Sequence, residues 1–243
     1  MFWSKQTSRL TEAEQVDLAG TPEVSVILRP SARARRLSLR VSKLDGRVTL
    51  TVPHGASRRE AVRFVSERAD WIRKHLADTM PEQHPIVGTT LPFLGQPHQI
   101  TEAPIGAARI SEGTILVPPG DPGKTAARLE ALLKHEARDR LAHASDCYAD
   151  MVGYKFGRLT LRDTRSRWGS CSSQGNLMYS WRLVMAPEAV LDYVAAHEVA
   201  HLVHMDHSPA FWSQVATIYP SYQTPRQWLR DHGASLHRYR FRD

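Results

Sequence analysis

The sequence predicts an α+β fold, and three observations carry that prediction. Two runs in "RRLSLRVSKLDGRVTLTVP" alternate apolar and polar residues, as half-buried strands do. Longer segments elsewhere, "SRREAVRFVSERADWIRKHL" foremost, space their apolar residues three and four apart, as helices do. The last third passes from strand-like runs into a helical segment, "YVAAHEVAHLVHMDHSPAFW", that gathers four histidines and one glutamate.

The chain of 243 residues has room for one large or two modest domains with a real core. Its 42% hydrophobic and 23% charged residues are ordinary for a globular protein. A formal charge of +7 favours approach to polyanions without specifying any. No stretch has the length and apolarity of a signal peptide or a membrane span, and two cysteines, Cys147 and Cys171, make no disulfide framework. A cytoplasmic location is expected.

Taken in order, residues 1–22 lack periodicity and are expected to form a loose lead-in. Leu37, Leu39 and Val41 then alternate with polar residues, as do Val48, Leu50 and Val52. A two-residue Asp45-Gly46 turn predicts a hairpin with Val41 opposite Leu50 and Leu39 opposite Val52. Ser57, with Glu60 three residues on, predicts a capped helix that carries Ala61, Phe64, Val65, Ala69 and Ile72 inward and stops at Pro81. Short apolar runs broken by Gly and Pro, such as "TTLPFLGQPHQI" and "GTILVPP", predict several short strands over 86–119. One long helix follows, ending near Gly153. Strand "GRLTLRDT", loop "RSRWGSCSSQGN", strand "LMYSWRLVM", the histidine helix and two short helices complete the chain. The expected organisation is a lead-in over 1–22, a β-rich basic module with one helix over 23–120, and an α+β module over 121–243. No internal repeat stands out.

Chemistry concentrates in the histidine segment. Pro187 suits a first helical position and Glu188 a first turn, so a helix starts there. Val190, Val194, His197 and His201 lie on one stripe that begins apolar and ends in two imidazoles. Histidines at i and i+4 can grip one zinc ion, while Glu198, the next residue round, can reach a water beside it without being a ligand. A lone histidine on an apolar stripe is more often a core residue; a pair spaced this way, with Glu198 between them and more histidine behind, is not the same signal.

Catalytic zinc takes three protein ligands and one open position. No glutamate follows Glu198, so the third ligand comes from His204, Asp206, His207, Asp231, His232 or His237. On a continuing helix His204 would stand about 10 Å along the axis from His197, too far to share an ion; it suits instead a cation at the helix C-terminus. Ser208 and Pro209 open the next helix, so the chain must turn at Met205-Asp206-His207. That turn brings His207 back, and His207 is the expected third ligand. The H-E-x-x-H-x5-H spacing is shared with the metzincins, but His204 replaces their glycine and no later methionine can form their Met-turn.

These residues resemble the YgjP-like metallopeptidase domain, related to the SprT-type and WLM zinc proteases. "RARRLSLRV" and "GRVTLTVP" are similar to that family's N-terminal hairpin and "ADWIRKH" to its first helix. "LRDTRSRWGSCSSQGNL" and "WRLVMAP" resemble its hallmark segment, and "YVAAHEVAHLVHMDHSPAFW" its active-site helix. The resemblance implies a zincin-like α+β fold with a ligand helix on a small sheet. It also implies Zn2+ held by His197, His201 and His207, with Glu198 as general base, acting on a protein or peptide substrate.

The "RSRWGSCSS" loop reads either as a connection between strands or as a cleft wall, with Cys171 as a thiol near the metal. Arg165, Arg167, His204 and Tyr222 are unranked as partners for a developing oxyanion. A competing reading makes the protein a nucleic-acid-associated one, either a DNA-tethered protease or a non-catalytic binder with structural zinc. It draws on Arg33, Arg35, Arg36, Arg40, Arg58 and Arg59 near the hairpin and Arg238, Arg240 and Arg242 at the tail. Against the non-catalytic form, a closed structural zinc site takes four ligands, often cysteines, and the plausible ligands here stop at three.

Overall fold

The computed structural model describes residues 10–20, 23–42, 46–77 and 81–242. By its internal contacts the chain divides into two units, Met1–Pro81 and Glu82–Asp243.

The first unit is one sheet with two helices. Its strands are β1 (Glu14–Leu18), β2 (Val24–Ser31), β3 (Ser38–Val41) and β4 (Val48–Pro53), in the order β1-β2-β4-β3. Val24, Val26 and Leu28 of β2 alternate inward, as do Val48, Leu50 and Val52 of β4. Parallel pairing sets Val26 beside Val48 and Leu28 beside Leu50, joining the two apolar rows into one face. Helix α1 (Arg58–Ser66) and helix α2 (Ala69–Ala77) complete this core with Ala61, Val65 and Ile72. Ser57 caps α1 as expected: its side chain accepts from the Glu60 N–H, and the Glu60 carboxylate accepts from the Ser57 N–H.

Three expectations change here. β1 lies within the segment expected to be loose; its half-exposed pattern is too short to register as periodic, and pairing with β2 decides it. The single expected helix is two, parted at Glu67-Arg68. The β3–β4 register is also shifted by two, with Leu39 opposite Leu50 and Val41 opposite Val48. A slip of two leaves every side chain on its own face, so apolar alternation cannot separate the two registers. The connection decides: the Ser42 N–H donates to the Arg47 carbonyl and the Gly46 N–H to the Ser42 carbonyl, so the link spans 43–46. Gly46 takes a left-handed φ of 65° there; Asp45 lies outside the described residues.

The second unit begins with β5 (Thr90–Phe93), β6 (Gln96–Glu102), β7 (Arg109–Ser111) and β8 (Thr114–Val117), in the order β5-β6-β8-β7. Their inward residues Leu91, Phe93, Ile100, Ile115 and Val117 share one core with α3 (Pro122–Val152) and the elements after it. The division between units therefore falls at 81/82 rather than near 120. The Gly- and Pro-rich composition of 86–119 reflects its turns and does not mark a linker.

Both units show one topology. In each sheet the pairings run antiparallel, parallel, antiparallel in the same strand order, and a capped helix follows. Ser57 caps the first helix and Ala61 and Val65 are buried four and eight residues later; Asp121 caps the second, and Thr125 and Leu129 are buried at the same offsets. The repeat is one of hydrophobic pattern, which four short strands and a capped helix can satisfy with many sequences.

A second, three-stranded sheet follows α3: β9 (Leu159–Arg162), β10 (Gly169–Cys171) and β11 (Leu177–Ser180), with β11 central. Two expectations change again. Part of the expected loop is β10, and "WRLVM" is a 3-10 turn rather than strand. That turn is entirely buried, from Trp181 to Met185. It accepts two hydrogen bonds from the β5–β6 turn, Leu94 N–H to the Val184 carbonyl (2.8 Å) and Gly95 N–H to the Met185 carbonyl (3.3 Å). A Cβ on Gly95 would stand 2.9 Å from Pro187 Cα, so this approach requires glycine. The 3-10 turn feeds directly into α4 (Glu188–Ala200), the most buried helix of the unit, and α5 (Pro209–Ile218) and α6 (Gln223–His232) follow. No helix of the described residues is long and apolar enough to cross a membrane.

Candidate active site

Helix α4 carries His197 and Glu198 in its last turn, and His201 stands at its C-cap. The helix stops one residue earlier than the continuing stripe implied. Turns at Leu202 to His204 reverse the chain, with the His204 N–H donating to the Ala200 carbonyl. Ser208 then caps α5, its side chain accepting from the Phe211 N–H, with Pro209 as first helical residue. His207 sits on this turn.

The turn brings three imidazoles together. One nitrogen from each of His197, His201 and His207 lies within 4.8 Å of the others. The Nε2 atoms of His197 and His207 are 3.1 Å apart, close to the ~3.3 Å expected between two nitrogens on one tetrahedral zinc. Nδ1 of His201 lies 2.8 Å from the His204 carbonyl oxygen, which can only accept; Nδ1 therefore carries the proton and Nε2 presents a lone pair. Burial, reinforced by the neighbouring His201 and His207, pushes the His197 pKa down to about 3, so that ring is neutral too. Its Nδ1 is buried with no partner among the described residues. Three ring nitrogens converging on one point suit a cation between them, and the residues present fit one. Phe211 packs beneath, stacked on His201 at 4.4 Å and edge-on to His197 at 4.9 Å.

Glu198 is 6% exposed. Burial pushes its pKa up to about 8, against the pull of the Arg167 charge and a hydrogen bond from the Cys171 N–H. The strand that holds it is β10. A Cβ on Gly169 would stand 2.6 Å from Glu198 Cγ and Oε1, so only glycine lets strand and carboxylate lie this close. The "RWGSC" segment is thus a wall of the site, and what it contributes is backbone. Cys171 offers no thiolate: burial, then the Glu198 charge, pushes its thiol up to about 11.

The remaining sequence candidates sit elsewhere. His204 contributes its backbone carbonyl, not a ring. Asp206 accepts from the Ser208 N–H and holds the turn. Asp231 accepts from the Gln227 amide, and His232 packs on Trp228. His237 is buried against Trp168 at 5.0 Å. Tyr222 stacks on Trp212 at 5.6 Å.

A cleft of about 590 Å³ opens on the histidines, lined by Trp168, Tyr193, His197, His207, Trp212, Arg226, Leu229 and Arg230. Tyr193 stands one turn before His197, and burial pushes its phenol up to about 12, so it is a protonated donor. Arg226 lies over the Trp212 ring at 4.2 Å, and its charge reaches His197 and Tyr193. Sequence reasoning missed Tyr193, Arg226 and Arg230. Tyr193 could have been found from its i−4 spacing to His197; nothing in the sequence brings α6 to the cleft.

A mixed α+β unit with three convergent histidines beside a buried glutamate has the constellation of a metallopeptidase. Residues 35–232 match the family described as "YgjP-like, metallopeptidase domain", and the chain belongs to that family. Among solved structures it is similar to the metallopeptidase zymogen of Pyrococcus abyssi, abylysin, at 24% identity over 40% of this chain and 92% of that one, with a TM-score of 0.32. A comparison with curated proteins gives no match.

Proposed function

We propose that the protein is a zinc-dependent peptidase in which His197, His201 and His207 hold the metal and Glu198 is the general base, on a zincin-like fold. The observation that carries this reading is the meeting of three imidazole nitrogens within 4.8 Å beside a buried carboxylate. Three ligands leave a tetrahedral ion one open position, which suits catalysis and not a closed structural site. When bound, zinc acidifies water and polarises a carbonyl.

The chain's own residues do the rest. The His204 carbonyl fixes the His201 ring by accepting from Nδ1. The Cys171 N–H holds the Glu198 carboxylate in place. Glu198 takes a proton from the attacking water at its carboxylate and delivers it to the nitrogen of the leaving amine. Tyr193, which lines the cleft as a protonated phenol, is the donor suited to the carbonyl oxygen as charge develops there.

Glu198→Gln tests the mechanism. Glutamine fits the same space but cannot accept the proton, so the variant should keep its fold and one zinc per chain while peptide hydrolysis falls toward the upper end of ~10²–10⁴-fold. A zinc-loaded variant that cleaves at the wild-type rate overturns it.

A tether to DNA is a second reading, favoured by one observation. Arg33, Arg35, Arg36 and Arg40 are exposed and have no acidic partner among the described residues. Other arginines near the hairpin and the tail are less available: Arg58 pairs with Glu14, Arg240 with Glu82 and Arg242 with Glu130.

A further inference from the structure

The cleft beside the histidines carries two cations that the hydrolytic chemistry does not need as a pair. Arg226 and Arg230 are one turn apart on α6 and both line it. Neither forms an ion pair or side-chain hydrogen bond with any described residue. By contrast, Arg182 is neutralised by Asp163 and Arg140 by Glu136 and Glu188.

Arg226 is also positioned, not merely exposed. Its guanidinium stands over Trp212 at 4.2 Å, and Trp212 is packed in turn against Tyr222 and His207. Contact with the ring face holds the guanidinium in place without using any of its N–H donors. A planar fork with unspent donors matches a carboxylate, which it can hold through two parallel hydrogen bonds. Arg230 adds a second positive charge one helical turn away, and Trp168 and Leu229 give the same cleft apolar walls.

We propose that Arg226 and Arg230 form a subsite for a peptide carboxylate, so that the protein selects substrates with an anionic group next to the scissile bond. This rests on the peptidase reading for the word substrate, but the binding it asserts does not depend on turnover. The carboxylate can be an Asp or Glu side chain or the C-terminus of the peptide. Both present the same group to the fork, and both place it close to His197 and His207, which share the cleft.

The test uses the full-length, zinc-loaded Glu198→Gln protein and follows tryptophan fluorescence, since Trp168 and Trp212 line the cleft. Four peptides share one neutral core and differ in one group: Glu against Gln at each position flanking the centre, and free acid against amide at the C-terminus. Charge-assisted hydrogen bonds predict binding about tenfold to hundredfold tighter for the anionic member of the responding pair. The pair that responds identifies the source of the carboxylate. In Arg226→Gln/Arg230→Gln the anionic-over-neutral ratio should fall to about one, and Arg226→Lys should retain part of it, since the charge survives and the fork does not. Arg138→Gln, on the exposed face of α3, controls for net charge and should leave the ratio unchanged. Equal binding of all pairs by the unsubstituted cleft, or a preference that survives the double Gln variant, overturns the subsite. Hydrolysis by the protein with Glu198 intact is measured in parallel. A carboxylate preference in binding with no cleavage of any peptide leaves the subsite standing and refutes the peptidase reading instead.

Discussion

At the scale of single residues, the site depends on a Cβ that is not there and a ring that is not used. Gly169 lacks the Cβ that would occupy the place of Glu198 Cγ and Oε1. Gly169→Ala should fold, because the obstacle is a side chain that can move, but the carboxylate must then leave its position under the Cys171 N–H. Hydrolysis is expected to fall about 10²-fold with zinc content unchanged, in the range of losing a general base. Metal analysis and a peptide assay on the same preparation check this; wild-type turnover would mean that the position of Glu198 is not critical. His204 serves through its carbonyl, so His204→Ala should hold zinc as the wild type does. If His207 is the third ligand as proposed, His207→Ala should weaken zinc by more than the ~10–100-fold typical of losing a ligand's hydrogen-bond partner. Competition with a chelator separates the two; equal weakening would sink the ligand assignment.

At the scale of elements, the C-terminal tail is tied to the site through one arginine. Arg182, in the 3-10 turn before α4, donates to both Asp163 oxygens (2.6 and 3.0 Å) and to the carbonyls of Leu236 and Tyr239. It is 6% exposed, so removing it leaves carbonyls without donors and a carboxylate without its cation. Arg182→Leu should cost about 2–4 kcal/mol in urea unfolding. The Asp163 carboxylate also gives this element a pH signature. Burial pushes its pKa up, but the hydrogen bonds and charge of Arg182 outweigh that and leave it below the ordinary value. Its contribution is therefore complete above the unfolded-chain pKa of about 3.9 and is lost as pH falls through the lower folded value. Asp163→Asn lacks that contribution at every pH, so its stability should decline less steeply than the wild type's below about pH 4. Urea midpoints across the acid range check this, and parallel acid limbs would show that the pair carries no such linkage.

At the scale of the whole molecule, the two units repeat one strand order, but only the second has the histidine helix. The first unit differs in its exposed arginines, and the prediction that belongs here concerns binding. Arg36→Gln/Arg40→Gln should weaken DNA binding and flatten its salt dependence, the log–log slope falling by about 0.9 for each phosphate no longer neutralised. A wild-type protein whose DNA binding shows no salt dependence would remove the tether. Residues that are neighbours in sequence were open to direct reading: the α1 cap at Ser57 and Glu60, the i, i+4 pair of His197 and His201, the forced turn that returns His207. Each rests on helix geometry or turn chemistry, which act over a few residues. The β3–β4 register, the division at 81/82 and the repeated topology were not open to it, because a slip of two preserves every face and a short strand exists only when its partner does. The same holds around the site. Sequence alone determined which imidazoles and which carboxylate could meet; only the tertiary structure set β10 against Glu198 and α6 along the cleft, since those approaches join residues far apart in the chain through packing that no local pattern encodes.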